Sequence, residues 1–579
     1  MSACIEEGDR AYMIRMKEKP FYLSEEDIQW VETTRDSMTV EEKIGQLFCL
    51  HGNTNDQKEL EEILKTYHPG AVMYRPSAKK VIYDTHKFLQ ENSKIPLLLA
   101  ANLESGGDGI GNEGTFFGRE IQVAATGDSQ EAYNLGDISG AEGAAVGVNW
   151  SFAPVVDIDM NFENPITNVR TFGNDKNRVK EMAVQYIEAC QKHGVAAAAK
   201  HFPGDGVDSR DQHLLTTINS LSTQEWDETY GEVYRSVIEM GVKTIMAGHI
   251  AQPAYEKALN PALNESEIMP ASLSKELLHG LLRGKLGFNG MITTDATNMV
   301  GFGCAGKRKE LLPKSINAGC DMLLFTKNLE EDYQSVLQAV KSGVISEERL
   351  NEAVTYILAT KASLKLHEKK KNHTLIPEES ALDILQCKKH IEMAYTVSDK
   401  AITLVKDEQK LLPLSKEKYK KVLTIVLGDA ISASGKPAVG DLFIKNMREA
   451  GYEVDKFDEK EQGELLMSGS TDELKSKYDL VIYFANIKTA SNQTTVRINW
   501  RPPIGYDAPW FVHEVPTMFI SIANPYHMQD VPMIKTFINA YTANEFNVEM
   551  LVKKINGESS FKGKSPVDPF CYKRQTRTI

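Results

Sequence analysis

The sequence of 579 residues predicts an α/β protein, a TIM (β/α)8 barrel followed by a smaller αβα sandwich. Two observations predict this architecture. Short apolar runs alternate with stretches of helical length from residue 40 to about 345, and eight such units can be counted. A second series of apolar runs beyond residue 396 predicts the smaller domain, and the chain is too long for one ordinary domain.

The eight apolar runs are the predicted strands of the barrel. Each is followed by a segment with helical periodicity, which favours a parallel sheet buried on both faces. A doubly wound open sheet is the competing arrangement, but eight units over this length favour closure. The runs span residues 46–50, 70–74, 96–101, 149–155, 195–200, 242–248, 290–294 and 321–325.

The chain is predicted to divide into a barrel at 1–345, a helical linker at 346–395 and an αβα domain at 396–579. The linker is charged and has a helical pattern, whereas apolar runs return after it. We expect the second domain to contribute binding residues to a cleft or only to cover the barrel. Its predicted strands are 421–428, 479–487 and 517–524, with helices around 440–450 and 545–555.

Composition excludes several classes of partner. A net charge of −14, from 66 basic and 80 acidic side chains, argues against nucleic acid and anionic membrane surfaces. The sequence has no apolar run of transmembrane length and no signal-peptide run near its start, so we expect a cytoplasmic protein. Its seven cysteines are scattered without a CxxC pair, which predicts reduced thiols without a disulfide framework or zinc site. The sequence predicts no oligomeric state.

Polar residues mark the points where the predicted strands leave the core. In a TIM barrel the reactive groups lie at the carboxyl ends of the strands. Their mixture of cations and carboxylates suits a neutral polyhydroxylated ligand, although any one of them could be a loop residue bonded to its neighbours. These residues are Asn102, Glu104, Asp157, Asp159, Lys200, His201, His249 and Asp295.

Two of these strand ends carry candidate catalytic groups. Asp295 leaves the buried run GMITT, where nearby cations could hold it ionised as a nucleophile; the alternative is a cap for the next helix. Asp211 and His213 stand two residues apart, so the carboxylate could orient the imidazole for general acid/base work. The alternative for this pair is a surface ion pair.

These segments resemble glycoside hydrolase family 3, and within it the bacterial β-N-acetylglucosaminidases. The similarity reaches into the second domain at 401–414, 522–528 and 555–567 and so covers nearly the whole chain. The segments that carry it are MTVEEKIGQL (38–47), VNWSFAPVVDIDMNFENPITNVRTFGND (148–175), KHFPGDG followed by DQH (200–213), GMITTDATNM (290–299) and INAGCDMLLF (316–325).

The resemblance implies a role for each matching residue. Asp295 corresponds to the nucleophile, and Asp211 and His213 to an acid/base dyad on a mobile loop. In β-glucosidases of the family a Gly stands where His213 is, and a Glu of the second domain is the acid/base. The predicted substrate-binding residues are Arg170, Lys200, His201, Asn102, Glu104 and His249, the first three matching residues that bind sugar hydroxyls in the family.

Two positions depart from the family pattern. Asp205 replaces the His of KHFPGHG, as it also does in the β-glucosidase branch. Asn102 replaces an aspartate that accepts hydrogen bonds from sugar hydroxyls in the family. An amide makes weaker hydrogen bonds to hydroxyls than a carboxylate does.

The predicted function is therefore an exo-acting, retaining β-N-acetylhexosaminidase that uses double displacement and needs no metal or organic cofactor. Its expected partner is an oligosaccharide or glycoside substrate. The alternatives are a phosphorylase with the same apparatus, a β-glucosidase or β-xylosidase, and a catalytically silent glycan-binding protein. A neutral His, unlike an anionic Glu, would not repel phosphate, which keeps the phosphorylase open.

Overall fold

The structure, a computed structural model, describes residues 14–429, 438–487, 489 and 491–578. Residues 1–13 lie outside the described residues. They include Cys4 and most of the segment on which the signal-peptide prediction rests. Within the described ranges no helix combines the length and the apolar character that a membrane span requires. The six cysteines of these ranges are free thiols.

Sixteen strands are present in the described part of the chain. They are β1 (Phe48–Gly52), β2 (Ala71–Tyr74), β3 (Leu98–Ala101), β4 (Trp150–Ser151), β5 (Ala196–Phe202), β6 (Thr217–Ile218), β7 (Thr244–Ala247), β8 (Ile250–Ala251), β9 (Met291–Ala296), β10 (Met322–Leu324), β11 (Thr403–Asp407), β12 (Lys421–Leu427), β13 (Glu453–Lys456), β14 (Leu480–Ala485), β15 (Thr517–Ser521) and β16 (Thr536–Asn539).

Helices separate most of these strands. The α-helices are α1 (Glu25–Ser37), α2 (Val40–Gln46), α3 (Gln57–Tyr67), α4 (Lys79–Asn92), α5 (Glu120–Ala125), α6 (Ser129–Ala145), α7 (Lys176–Lys192), α8 (Thr223–Glu228), α9 (Tyr230–Met240), α10 (Pro253–Leu259), α11 (Val300–Gly303), α12 (Arg308–Ala318), α13 (Leu329–Lys341), α14 (Glu347–Ser363), α15 (Leu366–Lys371), α16 (Lys388–Ala401), α17 (Val439–Glu449), α18 (Glu459–Ser468), α19 (Thr471–Lys477), α20 (Glu545–Ile555) and α21 (Arg574–Thr578). A π-helix spans Glu276–Lys285.

Eight parallel strands close into a barrel in the order β1-β10-β9-β7-β5-β4-β3-β2. The predicted TIM barrel is confirmed, and each of the eight predicted runs overlaps one of these strands. The fourth strand is shorter than its run because Pro154 cannot donate a ladder hydrogen bond; pairing resumes as a bridge between Val155 and Lys200. Strands β6 and β8 pair separately, outside the barrel.

Small residues on β5 make room for aromatic side chains in one of the two large core clusters. Ala196 and Ala198 share that cluster with Trp150, whose Nε1–H donates to Thr244 Oγ1 at 2.9 Å. Ala197 and Ala199, which alternate with them, belong to the other cluster. The apolar stretch ends at Lys200, so the polar residues of β5 emerge at the carboxyl end of the barrel.

The second domain is a six-stranded sheet in the order β11-β16-β15-β14-β12-β13. All neighbours are parallel except β11, which runs antiparallel to β16. Separate apolar clusters cover the two faces, one with α17 and α20 residues, which confirms the predicted αβα sandwich. Three of its strands, β11, β13 and β16, were not predicted: each has four or five residues, and β13 is an edge strand that buries only Val454.

The segment predicted as a linker begins with α14, which packs against the barrel. Its residues Leu350, Val354 and Leu358 belong to the same core cluster as Trp150. The helix α16 then leads into β11, the first strand of the second sheet. The exact domain boundaries stay a prediction.

Candidate active site

A cleft of about 660 Å³ opens at the carboxyl ends of the barrel strands. Most of the predicted site residues line it, although they come from segments far apart in the sequence. They are Asn102, Glu104, Arg170, Lys200, His201, His213 and Asp295. Asp211 lies directly behind His213, and His249 is not among the lining residues.

Glu104 joins two cations at one wall of the cleft. Its Oε1 accepts from Lys200 Nζ at 2.6 Å and from Arg170 Nη2 at 2.8 Å, and its Oε2 accepts from Arg170 Nε at 3.0 Å. Burial raises the pKa of Glu104, but the two cations outweigh burial and hold the pKa well below its usual range. The pairing fixes both cations at the cleft wall, where their remaining N–H groups can donate to hydroxyls.

Asp157 orients His201. The Asp157 Oδ2 lies 2.7 Å from His201 Nδ1, and its Oδ1 accepts from the backbone N–H groups of His201 and Asp205 at 3.0 and 2.8 Å. With Nδ1 engaged, His201 directs Nε2 toward Asp295, whose Oδ2 is 3.9 Å away. The sequence marks Asp157 as a strand-end residue but does not reveal that it is bonded to His201.

Asp295 combines burial with a free oxygen. Its Oδ1 accepts from the N–H of Ala296 at 2.7 Å, and its buried Oδ2 has no hydrogen-bond partner among the described residues. Burial raises the pKa of Asp295, but its interactions with the imidazoles of His201, His249 and His213 and the N–H of Ala296 outweigh burial and leave the pKa below its usual value. The carboxylate is therefore ionised at neutral pH.

His249 does not reach the cleft. It is fully buried; its Nδ1 lies 2.9 Å from Ser272 Oγ and its Nε2 3.1 Å from the Ala296 carbonyl oxygen. Both ring nitrogens are thus engaged by protein groups. The structure does not support the predicted contact of His249 with substrate, because the carbonyl of Ala296 takes the nitrogen that a sugar would need.

The predicted dyad is formed. His213 Nδ1 lies 2.7 Å from Asp211 Oδ1, which also accepts from the His213 backbone N–H at 2.8 Å. Burial raises the pKa of Asp211, but its bonds and the charge of His213 lower it further than burial raises it. Since Nδ1 is occupied, the other ring nitrogen, Nε2, is the one available to a ligand, and the side chain of His213 is 15% exposed.

The two departures from the family pattern have different surroundings. Asn102 is exposed in the cleft, and its side chain makes no hydrogen bond within the described residues. Asp205 is buried, accepts from Asn164 Nδ2 at 2.9 Å and from Gln212 Nε2 at 3.2 Å, and has a pKa raised to about 8, chiefly by burial. Asn102 can therefore meet a ligand, whereas Asp205 braces the loop that carries the dyad.

Several cleft residues were not predicted. Arg75 follows β2, so the strand-end rule applies to it as well, whereas Arg119 directly precedes α5 and carries no such signal. Thr489, Ser491 and Asn492 follow β14 of the second domain. The second domain thus contributes to the cleft, which was one of the two expectations for it.

One group of described side chains has the spacing of a metal site. Asp27, His367 and Glu368 bring ligand atoms within 4.8 Å of one another, but none of them lines the cleft. Lys365 Nζ already donates to both oxygens of Asp27, at 2.8 and 2.7 Å. The ammonium occupies the place of a cation, and we assign no metal to this group.

Comparison with known proteins identifies the family. Residues 39–360 match the model of the glycosyl hydrolase family 3 N-terminal domain. The chain is also 44% identical to a "Beta-N-acetylglucosaminidase/beta-glucosidase" of Cellulomonas fimi, over 96% of this chain and 99% of the relative. The chain belongs to glycoside hydrolase family 3.

Two solved structures of similar proteins match over nearly the whole chain. A "Beta-glucoside phosphorylase BglX bound to 2FGlc" is 47% identical, with a TM-score of 0.91 over 96% of this chain and 99% of that one. A family 3 β-N-acetylglucosaminidase from Paenibacillus sp. str. FPU-7 is 25% identical, with a TM-score of 0.78 over 92% and 99%. This family 3 enzyme therefore shares its two-domain fold with proteins described by different activities.

Proposed function

We propose that this family 3 enzyme is a retaining, exo-acting β-glycosidase that releases terminal β-linked N-acetylglucosamine and also accepts β-glucosides. One observation carries the proposal. The free carboxylate oxygen of Asp295 and the imidazole of His213 face the same cleft, and each is oriented by groups behind it. A nucleophile and an acid/base in one cleft are what double displacement requires.

In the first step Asp295 Oδ2 attacks the anomeric carbon. The bond from that carbon to the glycosidic oxygen breaks, and His213 Nε2–H protonates the departing oxygen. Asp211 supports this transfer because its Oδ1 holds Nδ1 and fixes the ring. The product of this step is a glycosyl ester of Asp295, and Asp295 is suited to form it because its lowered pKa keeps it ionised.

In the second step the neutral His213 takes a proton from water. The water oxygen bonds to the anomeric carbon, and the bond to Asp295 breaks, which restores the carboxylate. Two displacements at one carbon return the original anomeric configuration. The imidazole ends the cycle protonated, ready for the next substrate.

The sugar class rests on the polar cleft wall and on the relatives. Arg170, Lys200 and His201 present donors, and Asn102 offers both a donor and an acceptor, a combination that suits hydroxyl groups. The Cellulomonas fimi relative is named for both N-acetylglucosaminide and glucoside cleavage. We therefore propose both substrates, with N-acetylglucosaminides preferred.

Phosphate as the acceptor is the second candidate. Arg75 and Arg119 line the cleft, and neither forms an ion pair within the described residues. A phosphate oxygen would then bond to the anomeric carbon as the Asp295 ester breaks, giving a sugar 1-phosphate with the configuration of the substrate. The 47%-identical structure described as a phosphorylase supports this possibility.

A substrate panel tests both candidates. The release of p-nitrophenol is measured from β-N-acetylglucosaminide, β-glucoside and β-xyloside, with and without inorganic phosphate, and the sugar product is identified by NMR. Hydrolysis gives free sugar at a rate that phosphate does not change. A sugar 1-phosphate formed faster than free sugar would replace hydrolysis by phosphorolysis, and no release from any glycoside would remove the proposal.

Asp295→Asn tests the nucleophile. The amide cannot form the glycosyl ester, so we expect kcat to fall by roughly three orders of magnitude or more while the fold is kept. A 2-deoxy-2-fluoro glycoside with a good leaving group should label Asp295 in the unmodified enzyme, as detected by peptide mass mapping.

The control is Asp84→Asn, which removes an exposed carboxylate of α4 that is paired with Lys80. It should keep wild-type activity. If Asp295→Asn retained a tenth of the wild-type rate, or if the label appeared on another residue, Asp295 would not be the nucleophile.

A further inference from the structure

The loop that follows β14 brings the second domain to the acid/base dyad. Thr489, Ser491 and Asn492 line the cleft together with His213 of the barrel. The backbone N–H of Asn492 donates to Asp211 Oδ2 at 2.5 Å, a contact between residues 281 positions apart in the sequence. A carboxylate of one domain is thus held by a main-chain donor of the other.

The hydrogen bonds of Asp211 show why this donor matters. Its Oδ1 already receives two N–H groups of His213, from the ring and from the backbone. Its Oδ2 receives the Asn492 N–H, and among the described residues this is its one donor. The side chain of Asp211 is 0% exposed, so no water competes for Oδ2 while Asn492 is in place. Loss of this N–H would leave a buried carboxylate oxygen unsatisfied, which favours rotation of the carboxylate away from His213.

The barrel also braces the loop between β5 and β6, which carries Asp211 and His213 and is called the dyad loop below. Gln212, between the two dyad residues, is fully buried; its Nε2–H donates to Asp205 Oδ2 at 3.2 Å, and its Oε1 accepts from the His249 N–H at 2.9 Å. These bonds hold the backbone of the loop. They do not touch Asp211 Oδ2, so among the described residues the hydrogen bond that holds this oxygen comes from the second domain.

We infer that the backbone N–H of Asn492 is a positioning group for the acid/base, and that proton donation by His213 requires the second domain in its docked place. The inference rests on the proposed function, since it assigns a role to a group behind the proposed acid/base. Asn492 adopts a left-handed conformation with φ of 70°, which Asn tolerates better than most residues. In that conformation its N–H donates to Asp211.

Two substitutions remove the contact in different ways. Asn492→Pro lacks the N–H and cannot adopt a positive φ. Asn492→Val keeps the N–H, but its branched side chain disfavours the left-handed conformation that directs it. Asn492→Gly is the matched control, since it keeps both the N–H and access to a positive φ. Thermal unfolding of each variant shows that it is folded.

The readout is the dependence of kcat/KM on the leaving group. An alkyl glycoside needs protonation of its departing oxygen, whereas p-nitrophenolate leaves without it. For Asn492→Pro and Asn492→Val we expect kcat/KM to fall roughly tenfold or more with the alkyl glycoside and by about threefold or less with the p-nitrophenyl glycoside. Asn492→Gly should keep the wild-type ratio between the two substrates, whatever its absolute rates.

His213→Ala, measured in parallel, separates this inference from the proposed function. If His213→Ala shows the leaving-group effect and the folded Pro and Val variants slow both substrates equally, the positioning role is wrong and the proposed acid/base stands. If Asn492→Gly changes the ratio as much as the other two, the effect does not come from the N–H and the inference also fails. If His213→Ala shows no leaving-group effect, the assignment of His213 as the acid fails, and the role of Asn492 fails with it.

Discussion

Single residues in the cleft owe their chemistry to the groups around them. Asp295 is buried, which by itself would raise its pKa, yet three imidazoles keep the pKa low enough for the carboxylate to be ionised. His201 and His213 are each bonded through Nδ1 to an aspartate, which leaves Nε2 for the cleft. His249 has the same side chain but no free ring nitrogen. The residue type alone therefore does not assign the role.

Asn102→Asp tests how the cleft recognises the far side of the sugar ring. Strand β3, which Asn102 follows, is opposite β9 and Asp295 in the barrel order, so Asn102 is placed to meet hydroxyls distal to the bond that is cleaved. A carboxylate there would make a charge-assisted bond worth about 1 kcal/mol or more. We expect KM for N-acetylglucosaminides to fall severalfold with little change in kcat, since the bond forms in both ground and transition states.

Steady-state kinetics on wild type and Asn102→Asp check this expectation. Asn102→Ala is the control for the amide itself and should raise KM. Weaker binding by the Asp variant would mean that Asn102 is matched to another ring, one with a donor and acceptor pair or a modified hydroxyl. The sugar class would then change, whereas the chemistry at Asp295 would stand.

At the scale of elements, the dyad loop is held between two parts of the barrel. Gln212 anchors the loop through its bonds to Asp205 and His249. The short helix α11 packs beside the loop, where the Gly301 N–H donates to the His213 carbonyl oxygen at 3.2 Å. α11 follows the loop after Asp295, so the segments that carry the proposed nucleophile and the proposed acid/base are in direct contact. The contact is close because residue 301 has no side chain.

Gly301→Ala should disturb the proposed acid/base without touching substrate. A Cβ at this position would lie 1.9 Å from the Gln212 carbonyl oxygen and 2.9 Å from that of Leu215, so the dyad loop must shift. We expect kcat/KM for an alkyl glycoside to fall by roughly tenfold or more, and by less for a p-nitrophenyl glycoside. The measurement is the same pair of substrates as for Asn492.

Gly303→Ala provides the matched control within the same helix. A Cβ there meets nothing within 4 Å, so activity should stay at the wild-type level. Helix propensity alone would make either Ala neutral or slightly stabilising. Equal activity of the two variants would show that the loop can move without loss of function.

At the scale of the whole molecule, the two domains share buried polar contacts as well as an apolar cluster. Tyr526 of the second domain donates its O–H to Asp159 Oδ2 of the barrel at 2.6 Å, and Thr167 donates to Oδ1 at 2.6 Å. Ile121 and Val169 of the barrel pack with Tyr526 and Tyr541 of the second domain. The interface lies beside the cleft, because Val169 lines both.

Tyr526→Phe should destabilise the protein in a pH-dependent way. The pKa of Asp159 is raised to about 7, chiefly by burial, against an ordinary value of 3.8, so between these values the folded protein holds a proton that the unfolded chain has lost. The contribution of protonated Asp159 to the free energy of unfolding is fully present below about pH 4 and is lost as the pH rises through about 7. Removal of the donor from Oδ2 should cost about 1–3 kcal/mol, more at pH 8 than at pH 5, because the charged carboxylate needs the donor more.

Urea unfolding of wild type and variants at pH 5 and pH 8 measures this difference. Tyr572→Phe is the control: Tyr572 also bonds across the domains, to Asn174, but it is 62% exposed, so the change should stay within about 0.5 kcal/mol. Asp159→Asn removes the titrating group, and its unfolding free energy should change less between the two pH values than that of wild type. A pH-independent loss in Tyr526→Phe would show that Asp159 does not titrate in this range.

The barrel and the strand-end residues could be predicted from the sequence because the information is local. Apolar runs and helical periods reveal which segments are buried, and the carboxyl ends of parallel strands meet at one edge whatever the side chains are. Asp295, Lys200 and His201 follow from that rule. The pair Asp211 and His213 follows from a spacing of two residues. Short strands such as β13 were not predicted, because four residues with one buried side chain show almost no hydrophobic pattern.

What the tertiary structure decided is how these groups are paired and where they point. The sequence determined that His249 ends a strand, but packing turned its ring toward Ser272 and Ala296. Asp157 became the partner of His201 across 44 positions, and Asn492 the partner of Asp211 across 281. Such contacts join segments whose approach depends on the closure of the barrel and the docking of the second domain, so no local pattern in the sequence carries them.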